Sequence, residues 1–348
     1  MKTSDFNYSL PPELIAQEPL SERASARMLV VDRETGDLRH SMVRELPGFL
    51  SPGDLLVANE TRVVPARLFG KRCDTGGKVE VLLVEPDGEG RWDAFFRASG
   101  RARPGIRAEF AGGELIAEIV ETRGEGRVCL LLTHSRPLMR ILAEHGVPPL
   151  PPYIKREAGV TPRTEADREH YQTVFARHDG AIAAPTAGLH FTPALLASLA
   201  ERGIDRTAIT LHVGPGTFKP VKSDDVESHE MESERYVIGA ECAEKINSVD
   251  REVNRIVAVG STTVRTCESV AAEYGHIQAC EGRTSLFIYP PYDFRTTDAM
   301  LTNFHLPKST LVMMVCALGG EDLIMQAYQE AVREKYRFYS YGDCMLIL

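Results

Sequence analysis

The sequence predicts an α/β protein: a mixed sheet covered by helices, with a small inserted antiparallel β-barrel. Three observations lead there. Strand-like and helix-like stretches alternate beyond residue 150, five short β-rich runs without a helix fill 66–133, and a proline-rich link closes that block.

The first α/β piece, residues 26–58, reads as a strand from Arg27 to Asp32, a short strand, a short helix and a strand from Asp54 to Ala58, with Pro52-Gly53 as the turn before the last. The β-rich runs are Ala66 to Lys71, Lys78 to Glu85, Trp92 to Arg97, Glu114 to Thr122 and Arg127 to Thr133. Gly-containing turns separate them, and five or six such strands fit a small barrel. A helix-like stretch from Arg136 to His145 leads into Val147-Pro-Pro-Leu-Pro-Pro-Tyr153, whose prolines stiffen a link between domains. The barrel, 66–149, is thus expected as an insertion in a discontinuous catalytic domain formed by 1–65 and 150–348.

Beyond the link, helices are expected over Glu165 to Ala176, Pro193 to Arg202, Ala243 to Val249, Thr262 to Tyr274, Thr310 to Leu318 and Glu321 to Lys335. Strands are expected over Ala181 to Ala184, Thr207 to Val213, Arg255 to Gly260 and Ser285 to Tyr289. Thr192 before Pro193 has the form of an N-cap with proline at the first helical position. Leu195, Leu196 and Leu199 then form one apolar face, and Leu323, Ile324, Ala327, Tyr328, Ala331 and Val332 another. Both stripes read as core.

Composition narrows the function classes. No run of eighteen apolar residues occurs, and Met1 to Leu10 has no basic cap followed by an apolar stretch, so neither a membrane span nor export is expected. The seven cysteines form no C-x-x-C pair, which suggests neither a zinc site nor a disulfide framework and fits a reducing cytoplasm. A net charge of −9 means that any nucleic-acid partner must be held by a local basic stripe. His190, His212, His229 and His305 lack H-x-x-x-H or H-x-H spacing, so no metal site is expected.

Four segments carry chemistry. Ala184-Pro-Thr-Ala-Gly-Leu-His-Phe-Thr192 follows a buried strand, where α/β sheets bind ligands, and offers Thr186, Gly188 and His190. Leu211 to Phe218 also ends a strand, and Gly214 and Gly216 would bring backbone N–H groups close to an anion or sugar. Ile256-Val-Ala-Val-Gly-Ser-Thr-Thr-Val-Arg265 runs from an apolar strand through glycine into a helix. Ser261, Thr262 and Arg265 there suit a carboxylate or phosphate. Leu301 to Thr310 gathers Asn303, Phe304 and His305, which can read an edge, stack and move a proton. Taken singly, each is as readily a tight turn, a capped helix or a polar loop.

Taken together they resemble one family. Asp5-Phe-Asn-Tyr-Ser-Leu-Pro-Pro-Glu-Leu-Ile-Ala-Gln17, Pro52-Gly-Asp-Leu-Leu-Val-Ala-Asn59 and Thr61-Arg-Val-Val-Pro-Ala-Arg-Leu68 open the match. Leu150-Pro-Pro-Tyr-Ile154, Tyr171-Gln-Thr-Val174, Ala184 to Phe191, His212 to Phe218, Thr302 to Thr310 and Tyr336-Arg-Phe-Tyr-Ser-Tyr-Gly-Asp343 continue it. In this order they resemble the S-adenosylmethionine:tRNA ribosyltransferase-isomerase family of queuosine biosynthesis. Two positions depart from its pattern: Glu232 in His229-Glu-Met-Glu-Ser-Glu234 stands where the family usually has histidine, and Pro291 where it usually has glycine.

The resemblance implies an α/β domain split by a barrel, and a reaction. The ribose of S-adenosylmethionine moves onto the 7-aminomethyl group of a 7-deazaguanine at the tRNA wobble position and rearranges to an epoxy-cyclopentane, giving epoxyqueuosine and releasing adenine and methionine. S-adenosylmethionine is then a consumed substrate and no separate cofactor is expected; the chain is expected to act as a cytoplasmic monomer. Ser261, Thr262 and Arg265 are expected at the methionine carboxylate, and Thr186, Gly188 and Asn303 at the ribose and adenine. His190 or His305 is expected to remove the proton beside the sulfonium, with His212 and Glu234 as further acid/base candidates. For tRNA, Arg62, Arg67, Lys71 and Arg72 before the barrel and Arg97, Arg101, Arg103 and Arg107 within it would form the basic stripe.

Two other classes compete. A methyltransferase would need a glycine-rich turn after a first strand and an acid closing the next, and neither is found. A non-catalytic RNA-binding module would leave the polar loops of the second half without a purpose, and along the sequence aromatic residues do not interleave with basic ones.

Overall fold

The computed structural model describes residues 1–156, 164–218 and 221–348. Strands β1 (Arg27–Val31), β2 (Leu38–Met42), β3 (Leu55–Asn59) and β4 (Thr61–Val63) precede six barrel strands. These are β5 (Arg67–Arg72), β6 (Lys78–Pro86), β7 (Arg91–Ala98), β8 (Arg107–Phe110), β9 (Leu115–Gly124) and β10 (Arg127–His134). After the barrel come β11 (His178–Ala181), β12 (Asp205–Leu211), β13 (Glu234–Ile238), β14 (Ile256–Val259), β15 (Cys280–Thr284), β16 (Ala299–Asn303) and β17 (Cys344–Ile347). The helices are α1 (Leu138–His145), α2 (Thr164–His170), α3 (Pro193–Glu201), α4 (Ala240–Asn247), α5 (Ser261–Tyr274), α6 (Thr310–Gly319) and α7 (Glu321–Arg333).

A nine-stranded mixed sheet runs β15-β13-β12-β3-β14-β16-β17-β1-β2, and β5 to β10 close into a separate barrel. At the centre β12, β3, β14 and β16 are mutually parallel. Each residue of β3, β14, β16 and β17 is buried, the continuous apolar run expected of strands covered on both faces. Alternation within β1 divides the two layers. Leu29 and Val31 pack with α6 and α7 side chains such as Val315 and Ile324, while Met28 and Val30 pack with Leu195 and Leu199 of α3. Thr192 Oγ1 accepts from Leu195 N at the start of α3, so the expected cap is present.

In the barrel, Leu68, Val79, Val81, Ala94, Phe96, Ala117 and Ile119 point inward and form a second core. Because β5 follows β4 and α1 returns the chain to Val147, which bridges Arg67, the barrel is inserted between two parts of the sheet-bearing chain.

Several elements differ from expectation. Chain 178–181 pairs only with β4 and lies outside the main sheet, because the chain turns after Ala181 and Ile182 N donates to Val213 O instead. The second helix stops at His170, after which Thr173 Oγ1 takes Phe175 N in a local turn. A strand forms at Cys280–Thr284 and not at Ser285 to Tyr289, while β13, β16 and β17 were not anticipated.

The entry to β16 is fixed by a buried carboxylate on α5. Glu268 accepts hydrogen bonds from Arg295 N (2.8 Å), Thr296 N (3.1 Å), Thr297 N (3.0 Å) and Thr296 Oγ1 (2.8 Å). Removing it would strand two buried backbone donors, Thr296 N and Thr297 N, so Glu268→Ala is expected to lose roughly 3 kcal/mol of stability. Thermal unfolding reads this out, and an unchanged melting temperature would show that the turn stands without the carboxylate.

Candidate active site

The C-terminal ends of β14 and β16 open into a cleft with an empty volume of about 670 Å³. Its walls come from Pro185–Ala187, Val213, Gly260–Thr262, Thr302–Leu306, Ser309 and, from distant segments, Tyr153, Tyr339 and Ser340. This is where parallel α/β sheets leave room for ligands. Among the described residues, none that lines the cleft is an acid, a lysine or an arginine.

One wall is the start of α5. Gly260, at φ 86, has no side-chain cap, and the first intrahelical bonds run from Thr263 N and Val264 N to Gly260 O. The Ser261 and Thr262 N–H groups therefore end the helix at the cleft, with the positive end of its dipole. Thr262 is held from behind: Asn59 Nδ2 donates to Thr262 Oγ1 (3.1 Å) and to Leu211 O (2.9 Å).

Asn303 ends β16 on the opposite wall. Its Nδ2 donates to Tyr339 O (3.0 Å) and to His190 Nε2 (3.2 Å), while Oδ1 is buried without a partner among the described residues. Tyr339 has φ 70, which is unusual for a bulky residue, and Lys308 in the facing loop has φ 58. The Tyr339 ring stacks on Tyr153 at 4.5 Å and 22°, and Tyr153 Oη is 2.7 Å from Ser340 Oγ. These two rings give the cleft an aromatic face.

His305 is the histidine that lines the cleft. Its Nε2 shares a 2.8 Å hydrogen bond with Thr302 Oγ1, its N–H donates to Tyr328 Oη, and its carbonyl accepts from Tyr8 Oη. His190 lies behind Asn303 and does not line the cleft. Neither imidazole keeps an ordinary proton affinity. Burial pushes His305 down to about 3, and burial together with Arg337 and Arg23 pushes His190 down to about 4. The expectation of an unperturbed base near 6.5 is therefore corrected for both.

Of the other expected site residues, Thr186, Ser261, Thr262 and Asn303 line the cleft, and Gly188, His212, Gly214, Gly216, Glu234 and Arg265 do not. Arg265 points away because Glu234 pairs with it in a buried ion pair, and Leu286 O and Thr284 O accept from its remaining nitrogens. Glu234 also accepts from Gly214 N at 2.8 Å, so that N–H is not offered to an anion and the carboxylate is committed as a brace. A Cβ at Gly216 would come within 3.0 Å of Glu232, and one at Gly188 within 2.9 Å of Thr173. Both glycines thus permit close packing. His212 hydrogen-bonds Thr61 through Nδ1 (2.9 Å) and packs against Gly180.

Sequence reasoning missed Tyr153, Thr302, Ser309, Tyr339 and Ser340 as cleft residues. Tyr153 and Ser340 belong to segments that carried the resemblance, but only the fold brings those segments together. Of the two departures from the family pattern, Glu232 pairs with Arg127 of the barrel at 3.7 Å, and Pro291 follows a cis peptide bond away from the cleft.

The depressed imidazoles set a pH dependence. In the unfolded chain both histidines gain protons below about pH 6.5; in the folded chain they do so only near 4 and 3. The unfolded state binds more protons in that window, so stability is complete above about pH 6.5 and falls as pH drops toward 4, by about 1.4 kcal/mol per pH unit for each imidazole. Urea unfolding between pH 7 and 4.5 is expected to give a shallower slope for His305→Gln than for the parent chain; equal slopes would mean that His305 is not buried and neutral.

A profile described as Queuosine biosynthesis protein matches residues 3–347. The chain is 47% identical over 347 residues to the S-adenosylmethionine:tRNA ribosyltransferase-isomerase of Clostridioides difficile (strain 630), covering 100% of both chains. It is 51% identical over 351 residues to that of Anaeromyxobacter sp. (strain Fw109-5), covering 100% of this chain and 99% of the other. The crystal structure of S-adenosylmethionine tRNA ribosyltransferase from Thermotoga maritima is similar, with 36% identity, a TM-score of 0.56 and coverage of 99% of this chain and 100% of the other. With the family profile spanning nearly every residue and relatives matched end to end, the chain belongs to the queuosine-biosynthesis family of S-adenosylmethionine:tRNA ribosyltransferase-isomerases.

Proposed function

We propose that the chain transfers and isomerises the ribose of S-adenosylmethionine onto the 7-aminomethyl group of 7-deazaguanine at the wobble position of a tRNA, releasing adenine and methionine. The full-length family match carries this reading, and the chemistry of the cleft suits it. A carboxylate fits the uncapped N–H groups of Ser261 and Thr262. A sulfonium fits the faces of Tyr153 and Tyr339, which attract a cation without presenting a competing charge. Thr186 lies within reach of a ribose between them.

The reaction begins by removing a proton from the ribose carbon that the sulfonium acidifies. His305 lines the cleft as a neutral imidazole, whereas burial holds the Tyr153 and Tyr339 hydroxyls in their protonated form. A carboxylate arriving in the same low-dielectric cleft raises the proton affinity of His305 toward a useful range. With substrate deuterated beside sulfur, label loss should accompany turnover, adenine and methionine should appear in equal amounts, and His305→Ala should abolish both while S-adenosylmethionine binding stays within about tenfold. S-adenosylhomocysteine as the main product would replace this reading with methyl transfer.

For the tRNA, the outer face of the barrel is the surface we favour. On β5, Arg67, Phe69 and Lys71 point outward in alternation, and their cross-strand neighbours are Leu82, Glu80 and Lys78 on β6, then Phe95 and Arg97 on β7. Phe69 is 61% exposed, the largest such value among the aromatic side chains described, and it lies opposite Glu80, which pairs with Arg67 and Arg97. Aromatic and basic residues thus interleave on this strand, contrary to the expectation from the sequence. Arg101 and Arg103 are exposed on the loop after β7. Arg62 and Arg67 are in part committed, the first to Ala176 O and Asp179, the second to Leu150 O and Glu80. A platform of this kind holds phosphates and stacks an unpaired base. Replacing Arg101 and Arg103 together by Ala should weaken tRNA binding about tenfold at low salt, with the loss shrinking as salt rises. Phe69→Ala should weaken it about as much at every salt concentration. Unchanged tRNA binding by both would move the tRNA to another face.

A further inference from the structure

Two asparagines end strands that flank β14 in the central sheet, Asn59 on β3 and Asn303 on β16, and their hydrogen bonding differs. Asn59 is fully used: Nδ2 donates to Leu211 O and Thr262 Oγ1, and Oδ1 accepts from Thr61 N and Leu211 N. Asn303, 2% exposed, has both amide hydrogens engaged and its oxygen engaged by nothing among the described residues. Tyr339 O can only accept, so it fixes which end of the amide is Nδ2. The second hydrogen needs a lone pair on His190 Nε2, which an imidazole protonated elsewhere supplies. Flipping the amide would set Oδ1 against Tyr339 O and against that lone pair. The amide is thus locked with its acceptor unpartnered, on a residue that lines the cleft, and an unfilled buried acceptor is costly unless something donates to it.

We propose that Asn303 Oδ1 receives an amine N–H of the S-adenosylmethionine substrate, and that His190 is a positioning residue that holds the amide in this orientation and takes no part in proton transfer. The proposal rests on S-adenosylmethionine being the substrate of this cleft. That molecule carries two candidate amines, the 6-amino group of adenine and the α-ammonium of methionine, both of which donate and neither of which accepts while bound this way. The depressed proton affinity of His190 agrees with the geometry, because a protonated Nε2 would point a hydrogen at the Asn303 amide hydrogens.

Calorimetric binding to the intact enzyme tests the idea with three ligands: S-adenosylmethionine, an analogue with oxygen in place of the 6-amino group, and an analogue with hydrogen in place of the α-ammonium. The parent chain should bind one analogue at least about tenfold more weakly than S-adenosylmethionine, and which analogue suffers identifies the amine. Asn303→Leu, which keeps the volume and removes the acceptor, should reduce that preference to within about threefold. His190→Leu should lower the same preference and raise KM more than it lowers kcat, and His190→Gln, whose oxygen can accept from Nδ2, should restore it. If S-adenosylmethionine binds and neither analogue is discriminated against, or if the preference survives in Asn303→Leu, the proposal falls. It also falls if His190→Leu lowers kcat alone, the mark of a base. If S-adenosylmethionine itself does not bind, the substrate reading fails first. The analogue comparison on the parent chain needs no variant to fold.

Discussion

The cleft exists because β3, β14 and β16 run parallel and stop nearly level, and the Asn59 amide ties the end of β3 to its surroundings. With both hydrogens and both oxygen lone pairs bonded, it links the end of β3 to β12 on one side and to Thr262 at the start of α5 on the other. A backbone carbonyl at that position could not donate, and a carboxylate would repel Leu211 O. Register does the rest. Val259 pairs with Leu301, so the turn into α5 and the residues following Leu301 leave the sheet side by side. An uncapped helix end and a half-satisfied asparagine thereby line one space, and both carry groups that water or a ligand can complete.

Behind the cleft, charges are spent on architecture. Glu234 receives Gly214 N and pairs with Arg265, which in turn holds the carbonyls of Thr284 and Leu286. One strand position away, Arg283 forms a two-point ion pair with Glu85 of the barrel, at 3.0 Å through each nitrogen. Arg127 of the barrel bridges Asp93 and Glu232, and Glu232 lies against Gly216. The His229 to Glu234 segment is therefore the junction through which the barrel meets the sheet. Its glutamate at position 232 sets a carboxylate opposite Arg127 of the barrel.

How far the site could be read from sequence follows from the range of the interactions. Strand-to-helix turns are local, so the segments around Thr186, Ser261 and Asn303 could be found from apolar runs ending in glycine or hydroxyl residues. β16 itself was hidden, because Ala299-Met-Leu-Thr-Asn303 is only five residues long and its polar end looks like part of the loop that follows. β17 is hidden for a similar reason at the chain terminus. Arg265 misled because its partner lies 31 residues away on another strand, and an arginine one turn into a helix looks available until that partner is known. His190 and His305 misled in the same way, since burial, which decides their proton affinity, depends on what the rest of the chain lays over them. Tyr153 and Tyr339 stack across 186 residues of sequence, counted from their positions in the chain, and no periodicity reports such a contact.

A cleft whose described lining carries no acid, lysine or arginine has a consequence for chemistry that redistributes charge. S-adenosylmethionine brings a sulfonium, an ammonium and a carboxylate, and the departing adenine and methionine together carry less positive charge than the substrate did. A fixed carboxylate in the cleft would bind the sulfonium in the ground state and then lose that attraction as the carbon–sulfur bond breaks, which raises the barrier it was meant to lower. Aromatic faces attract the cation weakly and do not hold a leaving group once its charge is gone. On the proposed reading the helix end acts on the carboxylate, whose charge is the same before and after, so its contribution to binding is uniform along the reaction. The lining residues thus divide the substrate into a part held steadily and a part held only as firmly as its charge persists, which is the arrangement under which removal of one proton by a neutral imidazole can start bond breaking without a competing electrostatic trap.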